Sequence, residues 1–462
     1  MSKGEREVKG TKLTLYGGVN EIGGNKILLE DGDTRVFFDF GMSFADEARY
    51  FCGYLGPRGI NGAGDYLEFD LLPRLSGLYA EDMIKTTDIK YEKPRFDAVF
   101  LSHAHIDHIG HLPFIDEGID VYCGECTKVI MDAMQESSRT NLGEHRFHTF
   151  RTGNRLKIGR VIVEPIHVDH SIPGAYGFVV HTSNGSIIYS GDYRLHGPMA
   201  HMTREFAEKA AGSNPTLMIS EGTRVCPKED QVIHSEKRVK DESNKIVANA
   251  SSKLVIVAFY GRDIDRFKTF HEIARENDRE FVIPLKLAHL LNKLKSDPVL
   301  KIPDVMKDDT ILFYKRRKKT GEFAESDYYT WERPFLEKAV NHHYVHRNES
   351  KLLLNLDLSS FTELVDVKPA KGGHFIHSMS EPFSEEDVSI EVMGRWLQHF
   401  GLAFHQIHAS GHCPTKDLIQ IISEIQPKKL IPIHTEHPQL FKELFRSTDV
   451  EIIPKGKSYN LQ

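Results

Sequence analysis

The stretch "LSHAHIDHIGHLP", residues 101–113, places four histidines and one aspartate directly behind an apolar run. His103 and His105 lie two apart on an extended segment, so they project to the same side and can grip one ion. Asp107 and His108 follow where the chain is expected to turn into a helix, and they would address a second ion. Two ions held about 3.5–4 Å apart need a bridging carboxylate, for which Asp192 at the end of "IIYSGD" is the candidate. His170 would complete the first site, with His167 as its competitor, and His434 would complete the second. Asp39, which closes "VFFD", is read as an acid that orients a histidine or a water. His111 is expected on an outer helix face with no ligand role.

These residues share a position as well as a chemistry. Almost every apolar run of the outer segments ends on a metal-binding or proton-moving residue: "LMISE" on Glu221, "FHQIHASGH" on His408 and His412, "LIPIH" on His434. In layered α/β folds the carboxyl ends of strands form one edge, and ligands collect there. The first half of the chain reads as short strands with a hairpin at Asp31-Gly32-Asp33 and an amphipathic helix in "TREFAEKAAG". After about residue 223 the pattern becomes charged and helical, then alternates strand, helix and strand as in an open parallel sheet. Near residue 403 the earlier style returns. A domain inserted into another explains this order, and 462 residues are too many for one ordinary core. The expected division is a disordered tail over 1–10, a first domain over 11–222 and 401–462, and an insertion over 223–400.

A net charge of −7 argues against a protein that coats nucleic acid indiscriminately but leaves room for a local basic channel. The basic run "FYKRRKKTGEF" is either a solvated turn or a phosphate-tracking surface. Five scattered cysteines do not make a disulfide framework, which favours a reducing cytoplasm. No apolar run is long enough to span a bilayer, so no membrane role is expected.

The motifs resemble those of the metallo-β-lactamase superfamily, whose His-x-His-x-Asp-His signature is matched by His103, His105, Asp107 and His108. The chain is further similar to the β-CASP nucleases of that superfamily, and among them to RNase J, in "GGVNEIGGNKILLEDGDTRVFFDFG", "DHSIPGAYG" and "HASGHCPTKDL". Glu221, His412 and His434 match the three motifs that this branch adds. The resemblance implies an α/β fold, a metallo-β-lactamase αββα sandwich with an inserted β-CASP α/β domain. It implies a two-metal phosphodiesterase acting on single-stranded RNA, most simply a 5′-to-3′ exoribonuclease with endonuclease action in reserve. Two Zn2+ ions would be the cofactors, with Mn2+ or Mg2+ as substitutes, and a homodimer is the expected assembly. His412, paired with Glu221, would serve the leaving group, while Asp107, Asp192 and Asp39 complete the catalytic set. His408, Ser410, Gly411 and Ser380 would meet RNA phosphates. A DNA nuclease of the same branch and a lactonase- or thioesterase-type hydrolase are the rival readings. The chain departs from the family where Ser-Thr-Gly-x-Gln-Gly-Glu-Pro is usual: it reads "HSMSEPFSEE", keeping Ser380, Glu381 and Pro382. The C-terminal domain of longer members is expected to be missing.

Overall fold

The computed structural model describes residues 10–138, 140–227, 235–250, 252–380 and 388–461. Nearly all of the expected tail, together with Glu381 and Pro382, lies outside the described residues.

Three seven-stranded sheets organise the chain. The first contains β1 (Thr11–Gly17), β2 (Lys26–Asp31), β3 (Thr34–Phe40), β4 (Ala98–Leu101), β5 (Asp120–Gly124), β6 (Phe147–Phe150) and β21 (Ser458–Asn460), in the order β21-β1-β2-β3-β4-β5-β6. The second contains β7 (Leu156–Ile158), β8 (Val161–His167), β9 (Tyr176–Thr182), β10 (Gly185–Tyr189), β11 (Leu217–Glu221), β19 (Lys429–Ile433) and β20 (Asp449–Val450). The predicted hairpin joins β2 to β3, with Asp31 opposite Thr34.

Both sheets are buried on both faces, which is why their strands read as near-continuous apolar runs. Along β3 the period of two sends Val36 and Phe38 into the layer between the sheets and Phe37 to the outer layer, and a register shift at Asp39 turns Phe40 to the outer layer as well. The inner layer is completed from the second sheet by Val163, Phe178, Ile187, Ile219 and Ile433. Helix Glu125–Ser137 covers the outside of the first sheet, and helices Ala200–Gly212 and Thr415–Ile425 cover the outside of the second. The result is the expected αββα sandwich.

The third sheet contains β12 (Val255–Ala258), β13 (Glu280–Pro284), β14 (Ile311–Tyr314), β15 (Ala339–Val340), β16 (Leu352–Asn355), β17 (His374–His377) and β18 (Ala403–Gln406), all parallel. The boundary expected at residues 400 and 401 falls too early, because β18 pairs with β17 in this sheet, His374 opposite Ala403. The segment resembles the first domain only in its histidines. As a four-residue edge strand with Ala403 and Phe404 exposed, it lacks the apolar run that marks the inner strands.

A buried ion cluster joins the insertion to the sandwich. Arg194, fully buried, reaches Asp169 (3.1 Å), Glu236 (2.9 Å) and Asp265 (2.8 Å). Arg266, also fully buried, donates to Glu236, to the Ser378 hydroxyl and to the carbonyls of Ser378 and Ala409. With Asp263, four carboxylates thus surround two guanidinium groups, so the acids outnumber the cations. Burial accordingly pushes Asp263 up to about 7 and Asp265 up to about 6, the arginines opposing. An unfolded aspartate titrates near 3.9, so between about pH 4 and 7 the native state holds a proton that the unfolded chain has released. Stability from this source is therefore present at low pH and lost as the pH rises through 7. Asp263→Asn, whose amide oxygen can still accept the Arg266 N–H that Asp263 accepts at 3.0 Å, is expected to flatten that loss. Urea midpoints of both proteins at pH 5 and pH 8 check it.

Candidate metal centre and catalytic site

Parallel pairing of β3 with β4, and of β10 with β11 and β19, brings several carboxyl ends to one edge of the sandwich. His103 and His105 follow β4, while Asp107 and His108 sit in the one-turn helix Ile106–Ile109. His170 follows β8, Asp192 follows β10, Glu221 ends β11 and His434 follows β19. The third sheet adds His412 beyond β18. All nine meet in three overlapping donor groups, linked through Asp192 and His434.

In the first group, His103, His105, His170 and Asp192 place ligand atoms within 4.8 Å of one another. His105 Nδ1 lies 2.9 Å from His103 Nε2 and 3.2 Å from His170 Nε2. Asp107, His108 and His434 form a second group, with Asp107 Oδ2 3.1 Å from His434 Nε2. Asp192 Oδ2 stands between them, 3.0 Å from His108 Nε2, 3.5 Å from His103 Nε2 and 3.7 Å from His434 Nε2. His412 and Glu221 close a third set with Asp192 and His434, His412 Nδ1 being 3.3 Å from Glu221 Oε2.

The outward nitrogens of these rings are already committed, and that fixes which nitrogen faces the centre. His170 Nδ1 donates to the Gly411 carbonyl (2.6 Å), and His108 Nδ1 to Asp39 Oδ2 (2.8 Å). Asp39 also accepts from the Ser102 N–H and hydroxyl and from Tyr189. Its carboxylate is taken up by these contacts, and it belongs to none of the donor groups among the described residues. Thr223 was not foreseen. Its hydroxyl donates to Glu221 Oε2 (2.7 Å) and lies 2.8 Å from His434 Nδ1 and 3.1 Å from His412 Nδ1. Both rings can donate to its lone pairs, which frees Nε2 of each. Thr223→Val is expected to keep the fold and to lower activity or metal affinity about 10- to 100-fold, because both rings lose their tether. Titration with a chromophoric chelator checks the affinity.

The site fits metal. Both oxygens of buried Asp192, and His108 Nε2, have no hydrogen-bond partner although ligand-type atoms surround them. Burial holds His103 and His170 well below the usual imidazole range and takes His105 down to about 3, leaving lone pairs available. Burial also disfavours a charged His434 and His108, yet the carboxylates outweigh it: Asp192 and Asp107 lift His434 to about 9, and Asp192 and Asp39 lift His108 well above the usual imidazole range. Those two protons occupy the place of a cation's charge, and a metal would displace them.

The backbone shows what this convergence demands. Asp39 and His434 both adopt left-handed conformations, with φ of 56° and 52°, where non-glycine residues are rare. Gly41 packs so closely that a Cβ there would stand 1.6 Å from the Asp107 carbonyl oxygen.

The remaining candidates fall elsewhere. His111 is buried, contrary to expectation: it lies against Tyr66, with Nε2 3.0 Å from Glu47, because the helix ends one residue earlier and turns inward. His167 stacks on Tyr176 and joins no donor group among the described residues, so the competition goes to His170. His408 belongs to the domain junction, Nδ1 lying 3.2 Å from the Ser378 carbonyl. The Ser410 hydroxyl accepts the His412 N–H, and its carbonyl accepts from His196. The Ser380 hydroxyl pairs with that of Tyr260 at 2.8 Å. In the basic run, Arg316, Arg317 and Lys318 pair with Glu363, Asp366 and Glu332, which favours the surface-turn reading. Among the described residues no helix is long and apolar enough to cross a membrane.

Residues 80–250 match the β-lactamase superfamily domain, and residues 402–453 match the Zn-dependent metallo-hydrolase RNA specificity domain. With the αββα sandwich and the His/Asp cluster, residues 80–250 carry a domain of the metallo-β-lactamase type, and the chain is a metal-dependent hydrolase similar to that superfamily. Similar curated proteins include Ribonuclease J of Mycoplasma genitalium, 24% identical over 97% of this chain and 73% of that protein. Ribonuclease J 2 of Streptococcus pyogenes is 21% identical over 96% and 73%. Within the superfamily the chain is RNase J-like, of the β-CASP type. A crystal structure of a protein of unknown function from Enterococcus faecalis V583 shares the fold, with a TM-score of 0.75 at 22% identity over 98% of this chain and all of that one.

Proposed function

We propose that the protein is a metal-dependent ribonuclease that hydrolyses single-stranded RNA from the 5′ end, with internal cleavage as a secondary action. The observation that carries the reading is Asp192 between two imidazole-rich donor groups, with His412 and Glu221 beside them. His103, His105, His170 and Asp192 would hold one ion, and Asp107, His108, His434 and Asp192 the other. Five imidazoles favour Zn2+, while the carboxylates leave Mn2+ and Mg2+ as substitutes. Bound metal supplies Lewis acidity toward phosphoryl oxygens and acidifies water. The chain's own residues do the rest. Asp39, Gly411 and Thr223 hold the ligand rings at fixed orientations. Glu221 accepts from the Thr223 hydroxyl and lies 3.3 Å from His412 Nδ1, which holds that ring beside Asp192. As water attacks phosphorus and the bond to the 3′ oxygen breaks, His412 gives that oxygen its proton. The products carry a 5′ phosphate and a 3′ hydroxyl. The five cysteines, few and scattered, suit a cytoplasmic site of action.

The test is a time course on one single-stranded oligonucleotide, made as RNA and as DNA, with separate labels at each end. Immediate release of 5′ mononucleotides from 5′-monophosphate RNA is the expected result, with the Asp107→Ala, His108→Ala protein inert. Internal fragments appearing first would reverse the order of the two activities. Equal action on DNA would remove the RNA assignment, and no cleavage by metal-loaded protein would bring forward a small-molecule hydrolase.

A further inference from the structure

The carboxyl edge of the third sheet faces the metal centre, because β18 leads directly into the loop that delivers His412 beside Asp192. On the same edge β12 ends in a short loop that carries Arg262 before helix Ile264–Glu276. The buried arginines among the described residues have well-filled donor sets. Arg194 meets three carboxylates, Arg266 meets a carboxylate, a hydroxyl and two carbonyls, and Arg279 meets the carbonyls of Ala250, Lys253 and Leu352.

Arg262 differs. Its hydrogen bond among the described residues runs from Nη1 to the thioether of Met134, 3.1 Å away, and a thioether is a weak acceptor for a group with five N–H donors. It forms no ion pair among the described residues. Burial pulls its pKa below the usual guanidinium value, and the charge it feels in return is that of Asp107. His105 in turn feels the guanidinium, after burial and Asp107. A half-buried cation with no ion-pair partner among the described residues is free to meet an anion, and this one borders the donor groups without being able to ligate metal.

We propose that Arg262 binds a non-bridging oxygen of the phosphate being cleaved, reaching it from the inserted-domain side. This rests on the phosphodiesterase reading. The planar fork of a guanidinium suits a phosphate's paired oxygens, and its charge offsets the charge that builds on them during attack. Neither His412, which serves the leaving oxygen, nor the metal ligands fill this place. It also gives the insertion a direct part in the chemistry.

The experiment compares wild type with Arg262→Met and Arg262→Lys on 5′-monophosphate RNA, reading kcat and KM separately, with metal content and melting temperature alongside. Arg262→Met is expected to lower kcat about 100-fold with KM changed far less, and metal content unchanged. Arg262→Lys, which keeps the charge but not the fork, should recover part of the loss. A kcat within threefold of wild type overturns the assignment, and so does a loss confined to KM, which would put the guanidinium on a neighbouring phosphate. A fall in metal content would also overturn it, by making the residue part of the metal site's support. If the methionine variant fails to melt cooperatively, the lysine variant decides: a loss of about 10-fold in kcat supports the contact and wild-type kcat ends it. A wild type that cleaves no RNA refutes the phosphodiesterase reading itself and takes this assignment with it, a result distinct from an active wild type matched by its variants.

Discussion

Asp192→Asn is expected to leave a folded protein that has lost most of its activity, by about 1000-fold or more, and half or more of its bound metal. One oxygen of Asp192 lies 3.0–3.9 Å from nitrogens of His108, His103, His434 and His412, and neither oxygen has a hydrogen-bond partner. A carboxylate so placed can give one oxygen to each donor group and supply the negative charge that offsets two cations. An amide keeps the shape but gives up the charge and turns one ligand atom into a donor facing imidazoles. Metal analysis after gel filtration, beside a rate on 5′-monophosphate RNA, measures both. Full metal content with a reduced rate would show that Asp192 does not bridge.

Arg194→Met is expected to cost about 3–5 kcal/mol of stability, the range for removing one partner from a buried ion cluster. The cost comes from what remains. Of Asp169, Glu236 and Asp265, only Glu236 would keep an arginine partner, Arg266, and burial makes each uncompensated charge expensive. Adding Asp265→Asn should recover part of the loss, because it removes one stranded charge. Equilibrium urea unfolding gives both numbers. A loss under about 1 kcal/mol would mean that water or a proton already satisfies these acids.

The clustering of the donor residues was legible because metal chemistry restricts both residue type and spacing, and because strand ends collect on one edge. The sandwich was legible for a related reason: sheets covered on both faces leave apolar runs such as "RVFFDF". Thr223, Ser102 and Tyr189 were not legible. Each acts through a single hydroxyl whose partner lies far away in sequence, such as Asp39 for Tyr189, and no local pattern marks it. The junction was hidden differently. Glu236 sits in a charged stretch that reads as a solvated helix, and only tertiary packing buries it against Arg194 and Arg266. No local pattern singled out Arg262. The domain boundary was misplaced because β18 is too short and too exposed at its start to announce a strand.

The same junction limits how freely the two halves could be recombined. Arg194 lies two positions after Asp192, Asp169 lies next to His170, and Ala409, whose carbonyl receives Arg266, lies three before His412. A transplant that brought in a foreign insertion cut at its loops would carry away Glu236, Asp265 and Arg266 while leaving Arg194 and Asp169 behind. The recipient would then face an unmatched charge within a residue or two of its own ligands. Chimeras of such chains should therefore work only when these five residues travel as one heritable unit.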